Sequence, residues 1–361
     1  MSSDDTSRAN IRASAPALED FRPRPSDIDG LVLAERYRIV GLLGTGATAS
    51  VYLAEDTTTQ TPVVVKSLFS RVASDPQVRE RFLAGARAAM AVAHHAVARV
   101  LSVEEPAGES PYVVMEALHG EPLSDYLERH GPIPEPLVLV MAREVAGGLS
   151  AAHAMGIIHR DLKPGNLFVL EGDGPPRVRI IDFGFAKDTR DPDATPASTN
   201  LVLGTAQYMA PEQVLADPVD VRTDVYGFGV VLFRLLTGHL PFDLDAGVDL
   251  FSHQIFSPAP PPSWLAEHID PDLEQVILRC VRKHPENRYP SMQAVLDDLE
   301  RIAAGANISE LGLKREPDVY KPKNQMGRVA AETLAAHFGT DPPPPPTSRF
   351  DPESMGFRRG R

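Results

Sequence analysis

Apolar positions in this chain come first as short runs and later as long helical stripes. Tyr37-Arg38-Ile39-Val40, Ser50-Val51-Tyr52-Leu53-Ala54 and Val63-Val64-Val65-Lys66 are β-branched or alternating and lie between turn-forming stretches, which predicts strands. Residues 76–93 predict a helix and 111–116 a further strand. Past Leu118 the spacing becomes helical over about 123–130, 134–154, 220–237, 271–283 and 290–303. Two strand-like pieces, 167–170 and 178–181, flank a turn among these helices. The expected fold class is α+β with two lobes in one domain over 36–303. A small β-rich lobe with one main helix covers about 36–117, and a larger, mostly helical lobe covers about 118–303. A β lobe joined to a helical lobe suits a ligand cleft between them.

The flanks carry a different pattern. Residues 1–35 are rich in Ser, Asp, Arg and Pro without apolar periodicity and predict a disordered leader. Residues 304–361 predict a mostly disordered, Pro-rich tail. It holds one short amphipathic helix over 326–338 (Val329, Ala330, Leu334, Phe338), then Pro342 to Pro346 and a basic end. The proline run fits a polyproline II ligand for a partner or a stiff linker.

Composition narrows the function classes. At 361 residues and 43% apolar content there is material for one large bilobal domain plus tails. A formal charge of −13 disfavours nonspecific contact with nucleic acid or an anionic membrane, so neither is an expected partner. Cys280 is the single cysteine, so no intrachain disulfide forms, in keeping with a reducing compartment. No long uncharged apolar run predicts a membrane span, and the acidic start lacks the apolar core of a secretory signal. The expected location is cytoplasmic.

The chemistry is concentrated in His159-Arg160-Asp161-Leu162-Lys163-Pro164-Gly165-Asn166 and in Asp182-Phe183-Gly184. These place two carboxylates, a lysine and an amide at the spacing that phosphoryl transfer from Mg-ATP requires, where catalysis is mostly positioning and charge neutralisation. Asp161 can accept the proton of an incoming hydroxyl, Asn166 and Asp182 can offer oxygen to Mg²⁺, and Lys163 can steady the γ-phosphate. Eight residues in order ahead of a second metal motif resemble the eukaryotic-like serine/threonine protein kinases of bacteria.

That resemblance covers about residues 37–302 and implies a bilobal protein-kinase fold with ATP and Mg²⁺ (or Mn²⁺) as cofactors. It implies a nucleotide loop at Gly44-Thr45-Gly46-Ala47-Thr48-Ala49-Ser50-Val51, with Leu43, Gly44, Gly46 and Val51 around ATP and Lys66 on its α/β-phosphates. Taken alone, the two glycines fit a plain hairpin turn equally well. The family's third loop glycine is Ala49 here. The hinge resembles Val113 to Leu118, with Met115 limiting the adenine pocket and backbone groups of Glu116 and Leu118 bonding adenine; an apolar strand entering a linker is equally compatible.

A larger departure lies in the helix after Lys66. Counting back from His94-His95-Ala96-Val97, the family's helix glutamate, which pairs with the strand lysine, falls on Gly85, and no acidic residue lies between Arg81 and Val103. Glu80 is five residues earlier on a different helix face.

Gly204-Thr205-Ala206-Gln207-Tyr208-Met209-Ala210-Pro211-Glu212 resembles the segment that shapes the groove for a protein substrate, which small-molecule kinases generally lack. Lys163 with Thr205 resembles the Ser/Thr-specific subset. Thr195, Ser198 and Thr199 are candidate phosphorylation sites, with Arg160 as the cation that would pair with the phosphate; a hydroxyl-rich loop is the plainer reading. Phe183, Gly184, Thr205 and Glu212 are expected in structural roles, Asp224 as a brace of the catalytic loop, and Arg288 as the partner of Glu212.

Two readings from different classes follow. One is a Ser/Thr protein kinase acting on protein hydroxyls, slow or conditional for want of the helix glutamate. The other is a pseudokinase serving as a nucleotide-binding scaffold. A small-molecule phosphotransferase is disfavoured by Ala210-Pro211-Glu212.

Overall fold

The structure is a computed structural model that describes residues 16–183, 187–188, 206–242, 248–306, 320, 322–323, 328 and 331. Among these, a six-stranded antiparallel sheet forms the first lobe in the order β1-β2-β3-β4-β6-β5. Its strands are β1 (Val32–Leu33), β2 (Tyr37–Thr45), β3 (Ala49–Asp56), β4 (Thr61–Leu68), β5 (Val100–Glu104) and β6 (Tyr112–Glu116). Between β4 and β5 lie the single turn α1 (Ser70–Ala73) and the long helix α2 (Pro76–Ala91). Asp75 caps α2 by accepting from the backbone N–H groups of Gln77 and Val78, and Pro76 opens it with the φ a first turn needs.

Alternation along the strands sorts side chains to two faces. Tyr37, Ile39, Ala54, Val63, Val65, Tyr112 and Val114 fill one cluster, while Val113, Leu68 and Ala49 turn to the other and meet Phe82, Leu83 and Ala86 of α2. Arg36 grips the buried carboxylate of Asp56 at the far end of this hairpin, with Nη2 at 2.6 Å from Oδ2. That grip holds the Asp56 carboxyl well below the usual range, and burial opposes it.

The leader differs from the sequence expectation. Its part from residue 16 is folded, and it lies along the outer edge of β2. Arg24 and Leu42 exchange both backbone hydrogen bonds (2.8 and 2.7 Å), Gly30 N–H donates to Ile39 O, and Ile39 N–H donates to Leu31 O. Pro23 presses so close to Gly41 that a β-carbon there would stand 2.8 Å from Pro23 Cβ and from Arg24 O. The Phe21 ring meets His119 edge-on at 6.2 Å, just beyond β6, and Ile28 packs on the first cluster. The Pro23 contact and a run of backbone pairing produce this order without any apolar period, so periodicity had nothing to detect.

The second lobe opens with β7 (Gly120–Pro122), α3 (Leu123–His130) and α4 (Glu135–Ala154). It continues through β8 (Ile157–Ile158), β9 (Leu167–Leu170), β10 (Arg177–Ile180) and β11 (Lys187–Asp188), with sheets β10-β9-β7 and β11-β8. Then come α5 (Pro211–Val214), α6 (Val221–Thr237), α7 (Val248–Phe256), α8 (Pro271–Cys280) and α9 (Met292–Ala303). Helix α6 is the axis of this lobe, buried along nearly its whole length against α4, α8 and α9. Asp220 caps its start, and Gly238, with φ of 74°, ends it in the left-handed conformation that glycine takes without strain.

By length and composition alone α4 could span a bilayer. Its Val138, Met141, Val145 and Leu149 are instead the centre of the main core, so its apolarity is accounted for by packing.

The expected helix over 271–283 stops at Cys280, and that over 290–303 starts at Met292 behind a Ser291 cap. In the tail, Arg328 and Ala331 are helical and Tyr320 is buried. The rest of the expected 326–338 helix, and Pro342 to Pro346, lie outside the described residues.

Candidate active site

The loop between β8 and β9 carries Asp161, Lys163 and Asn166, and it is bent sharply. Arg160 has φ of 67°, a left-handed conformation that costs an L-residue on the order of 1 kcal/mol. Buried Asp224, in the first turn of α6, holds the bend. Its two carboxylate oxygens accept from the backbone N–H of His159 (2.8 Å) and of Arg160 (2.7 Å), with His153 Nε2 at 2.7 Å. Gln213 Nε2 donates to Arg160 O at 2.7 Å from the other side. Burial pushes the Asp224 carboxyl up, but the His153 contact and the N–H donors outweigh it and hold it below its ordinary range. Reading the sequence missed His153 and Gln213, whose signal was only their nearness to His159 and Glu212.

Within the loop, Asp161 is buried and well supported. Lys163 Nζ lies 2.9 and 3.1 Å from its carboxylate oxygens, and Asn166 Nδ2 donates to Asp161 O at 2.7 Å and to Oδ2 at 3.0 Å. Committing the Asn166 NH₂ to Asp161 leaves its amide oxygen as the group to offer a cation. Asn166 O also accepts from Ile181 N–H at 2.9 Å, which brings the residue before Asp182 alongside this loop.

Asp182 too has a left-handed backbone, with φ of 66°. Its Oδ2 lies 2.5 Å from Lys66 Nζ, joining the small lobe to the large one. Phe183 is buried in the main core with its ring 4.8 Å from that of His159. Gly85 lies on the buried face of α2 and offers no carboxylate, and Asp182 is the carboxylate that holds Lys66. Hard oxygen donors from one carboxylate and one amide suit Mg²⁺, which commonly takes one or two protein ligands and completes its shell with water and phosphate.

The β2–β3 hairpin adjoins β4, the strand that carries Lys66. Gly44 pairs with Val51 and Thr45 with Ser50, and Gly46 N–H donates to Ala49 O at 2.8 Å. A β-carbon on Gly44 would meet nothing within 4 Å, and one on Gly46 only Ala49 O at 3.6 Å. The protein's own packing does not require glycine at either position, and both leave the backbone open to close approach by a ligand. Ala49 differs, because its methyl is buried against Leu68, Phe82 and Leu83 beneath the hairpin. Val51 lies opposite Lys66 on β4. Met115 packs on the same cluster as Ala49, and Glu116 is fixed through bonds exchanged with the Arg99 backbone.

On the far side, Glu212 and Arg288 form a buried bidentate pair at 2.7 and 2.8 Å. Thr223 Oγ1 donates to Glu212, and Arg288 donates further to the carbonyls of Arg282, Arg222 and Lys283. Burial alone would lower the Arg288 pKa, but the Glu212 charge outweighs it. Gly184, Thr195, Ser198, Thr199 and Thr205 lie outside the described residues.

A model of the protein kinase domain matches residues 37–299. The serine/threonine-protein kinase Pkn1 of Myxococcus xanthus is 36% identical over 346 residues, covering 91% of this chain and 49% of that protein. Its likeness thus reaches beyond the kinase-domain match. The serine/threonine-protein kinase PknB of Mycobacterium tuberculosis is 37% identical over 276 residues, covering 76% of this chain and 44% of that protein. The chain therefore spans about half the length of the curated relatives it matches. Among solved structures, the PknI kinase domain of Mycobacterium tuberculosis is 26% identical with a TM-score of 0.59, covering 76% of this chain and 98% of that one.

Proposed function

The chain belongs to the protein kinase family, and we propose that it transfers the γ-phosphate of Mg-ATP to Ser or Thr hydroxyls of proteins. The observation that carries this reading is the buried Asp161 carboxylate, oriented by Lys163 and Asn166 and lying beside the strand that leads to Asp182. Asp161 accepts the proton of the substrate hydroxyl as its oxygen bonds the γ-phosphorus, and the bond to the ADP oxygen breaks. Lys163 balances charge on the moving phosphoryl group, and Asn166 and Asp182 would hold the metal. Bound Mg²⁺ supplies neutralisation of phosphate charge. The test is transfer of labelled γ-phosphate by the purified chain to a basic protein, with Asp161→Asn as control. Nucleotide binding without transfer would favour the scaffold reading, which rests on Gly85 alone.

Slow or conditional turnover follows from the Lys66–Asp182 pair. Where relatives hold the lysine with a helix glutamate, this chain uses the carboxylate that must also serve the metal. Gly85→Glu should therefore release Asp182 and raise the transfer rate roughly tenfold, about 1.4 kcal/mol in barrier. Gly85→Gln controls for the helix gain of about 1 kcal/mol from losing glycine. Equal rates in wild type and both variants would show that the pairing is dispensable.

Arg160 supports control by phosphorylation. Its Nε is buried without a hydrogen-bond partner among the described residues, and burial pushes its pKa down to about 10 against the pull of Asp224. A phosphate on Thr195, Ser198 or Thr199 would supply the missing acceptor. Peptide mass spectrometry after incubation with Mg-ATP should find phosphate there; phosphate confined to other segments removes the reading.

A further inference from the structure

C-terminal to residues 37–299, Tyr320 returns to the large lobe and is buried there, 2% exposed. Its hydroxyl donates to Asp217 Oδ2 at 2.9 Å, and the same oxygen accepts from Lys323 N–H at 2.8 Å. Asp217 is itself buried, in the loop after α5, and its own N–H donates to Glu212 O at 2.8 Å. On the other flank, Tyr320 N–H donates to Ile255 O near the end of α7, at 3.0 Å. The neighbouring Gln254 Nε2 donates to Ala206 O at 2.6 Å. The ring of Tyr320 joins Leu215, Ile255 and Ala331 in one apolar cluster.

We propose that Tyr320 is a positioning residue for the protein-substrate side of the site. It ties the loop after α5 to the end of α7, and each of these two is bonded to one end of the Ala206–Glu212 segment. A residue outside the catalytic domain thus sets the platform on which a protein substrate rests. The burial explains why the contact is specific: a buried carboxylate needs its donors, and Tyr320 supplies one that no apolar side chain can replace. The Lys323–Glu286 contact, at 3.8 Å and half-exposed on both sides, adds little.

The functional arm of this inference rests on the kinase reading, and the structural arm does not. In the full chain, Tyr320→Ala should lower kcat/KM for a histone acceptor by about tenfold, as expected for a misplaced substrate platform, with the KM for ATP within about twofold of wild type. Tyr320→Phe, which keeps the ring, should fall between the two. Hydrogen–deuterium exchange should rise in both variants over 206–217 and 250–257, while α4 and α9 keep their protection. Unchanged exchange in those two segments would overturn the proposal. So would exchange raised equally throughout the large lobe, or ATP and histone terms that weaken together. A wild-type chain that transfers no phosphate would instead count against the kinase reading, and the exchange experiment would still decide the role of Tyr320.

Discussion

Asp161→Asn should lower phosphate transfer by about 10²–10⁴-fold, the range for losing a positioned general base. The variant keeps shape and loses charge. Lys163 Nζ and Asn166 Nδ2 both lie within bonding distance of the wild-type carboxylate, and a neutral amide answers them with a single acceptor oxygen. Nucleotide affinity should stay within about twofold, because the hairpin, Lys66 and Asp182 are untouched, and this separates chemistry from binding. Labelled-phosphate transfer and titration with a fluorescent ATP analogue read the two quantities. A residual rate within tenfold of wild type would remove Asp161 from the role of base.

Arg288→Leu should cost about 3–5 kcal/mol of stability, because it strands a buried carboxylate. Every N–H donor of the Arg288 guanidinium is matched in the structure, two by Glu212 and the others by three backbone carbonyls. Among the described residues, leucine leaves Glu212 with Thr223 as its one side-chain donor, in a buried site. The double variant Glu212→Leu with Arg288→Leu should recover part of the loss, since removing both charges also removes the unpaired one. Urea unfolding of the three proteins provides the comparison. Equal stability of the Arg288→Leu variant and wild type would mean that the pair is replaceable by packing alone.

Much of this was legible from residue order, for a physical reason. Asp161, Asn166 and Asp182 sit on short loops whose spacing is fixed by the strands beside them, so linear distance translates directly into proximity. Asp224 and Arg288 were legible only through resemblance, because their partners lie 64 and 76 positions away. His153 and Gln213 escaped notice because each acts through a single hydrogen bond to a distant group, which no periodicity records. The leader escaped for a related reason: its order comes from backbone pairing with β2, and backbone pairing leaves little trace in side-chain polarity. The pairing of Lys66 with Asp182 was not fixed by residue order either, since it joins residues 116 positions apart.

The leader along β2 bears on how the catalytic part behaves when isolated. A fragment trimmed to begin at Tyr37, where the family match begins, would lose the partners of Ile39 and Leu42 and bare a row of backbone donors and acceptors. Such a row is a template for a strand from a second copy, and β1, the short strand that ends the sheet here, would go with it. Residues 21–33 therefore cover an edge that would otherwise stand open, as well as completing the fold of the small lobe.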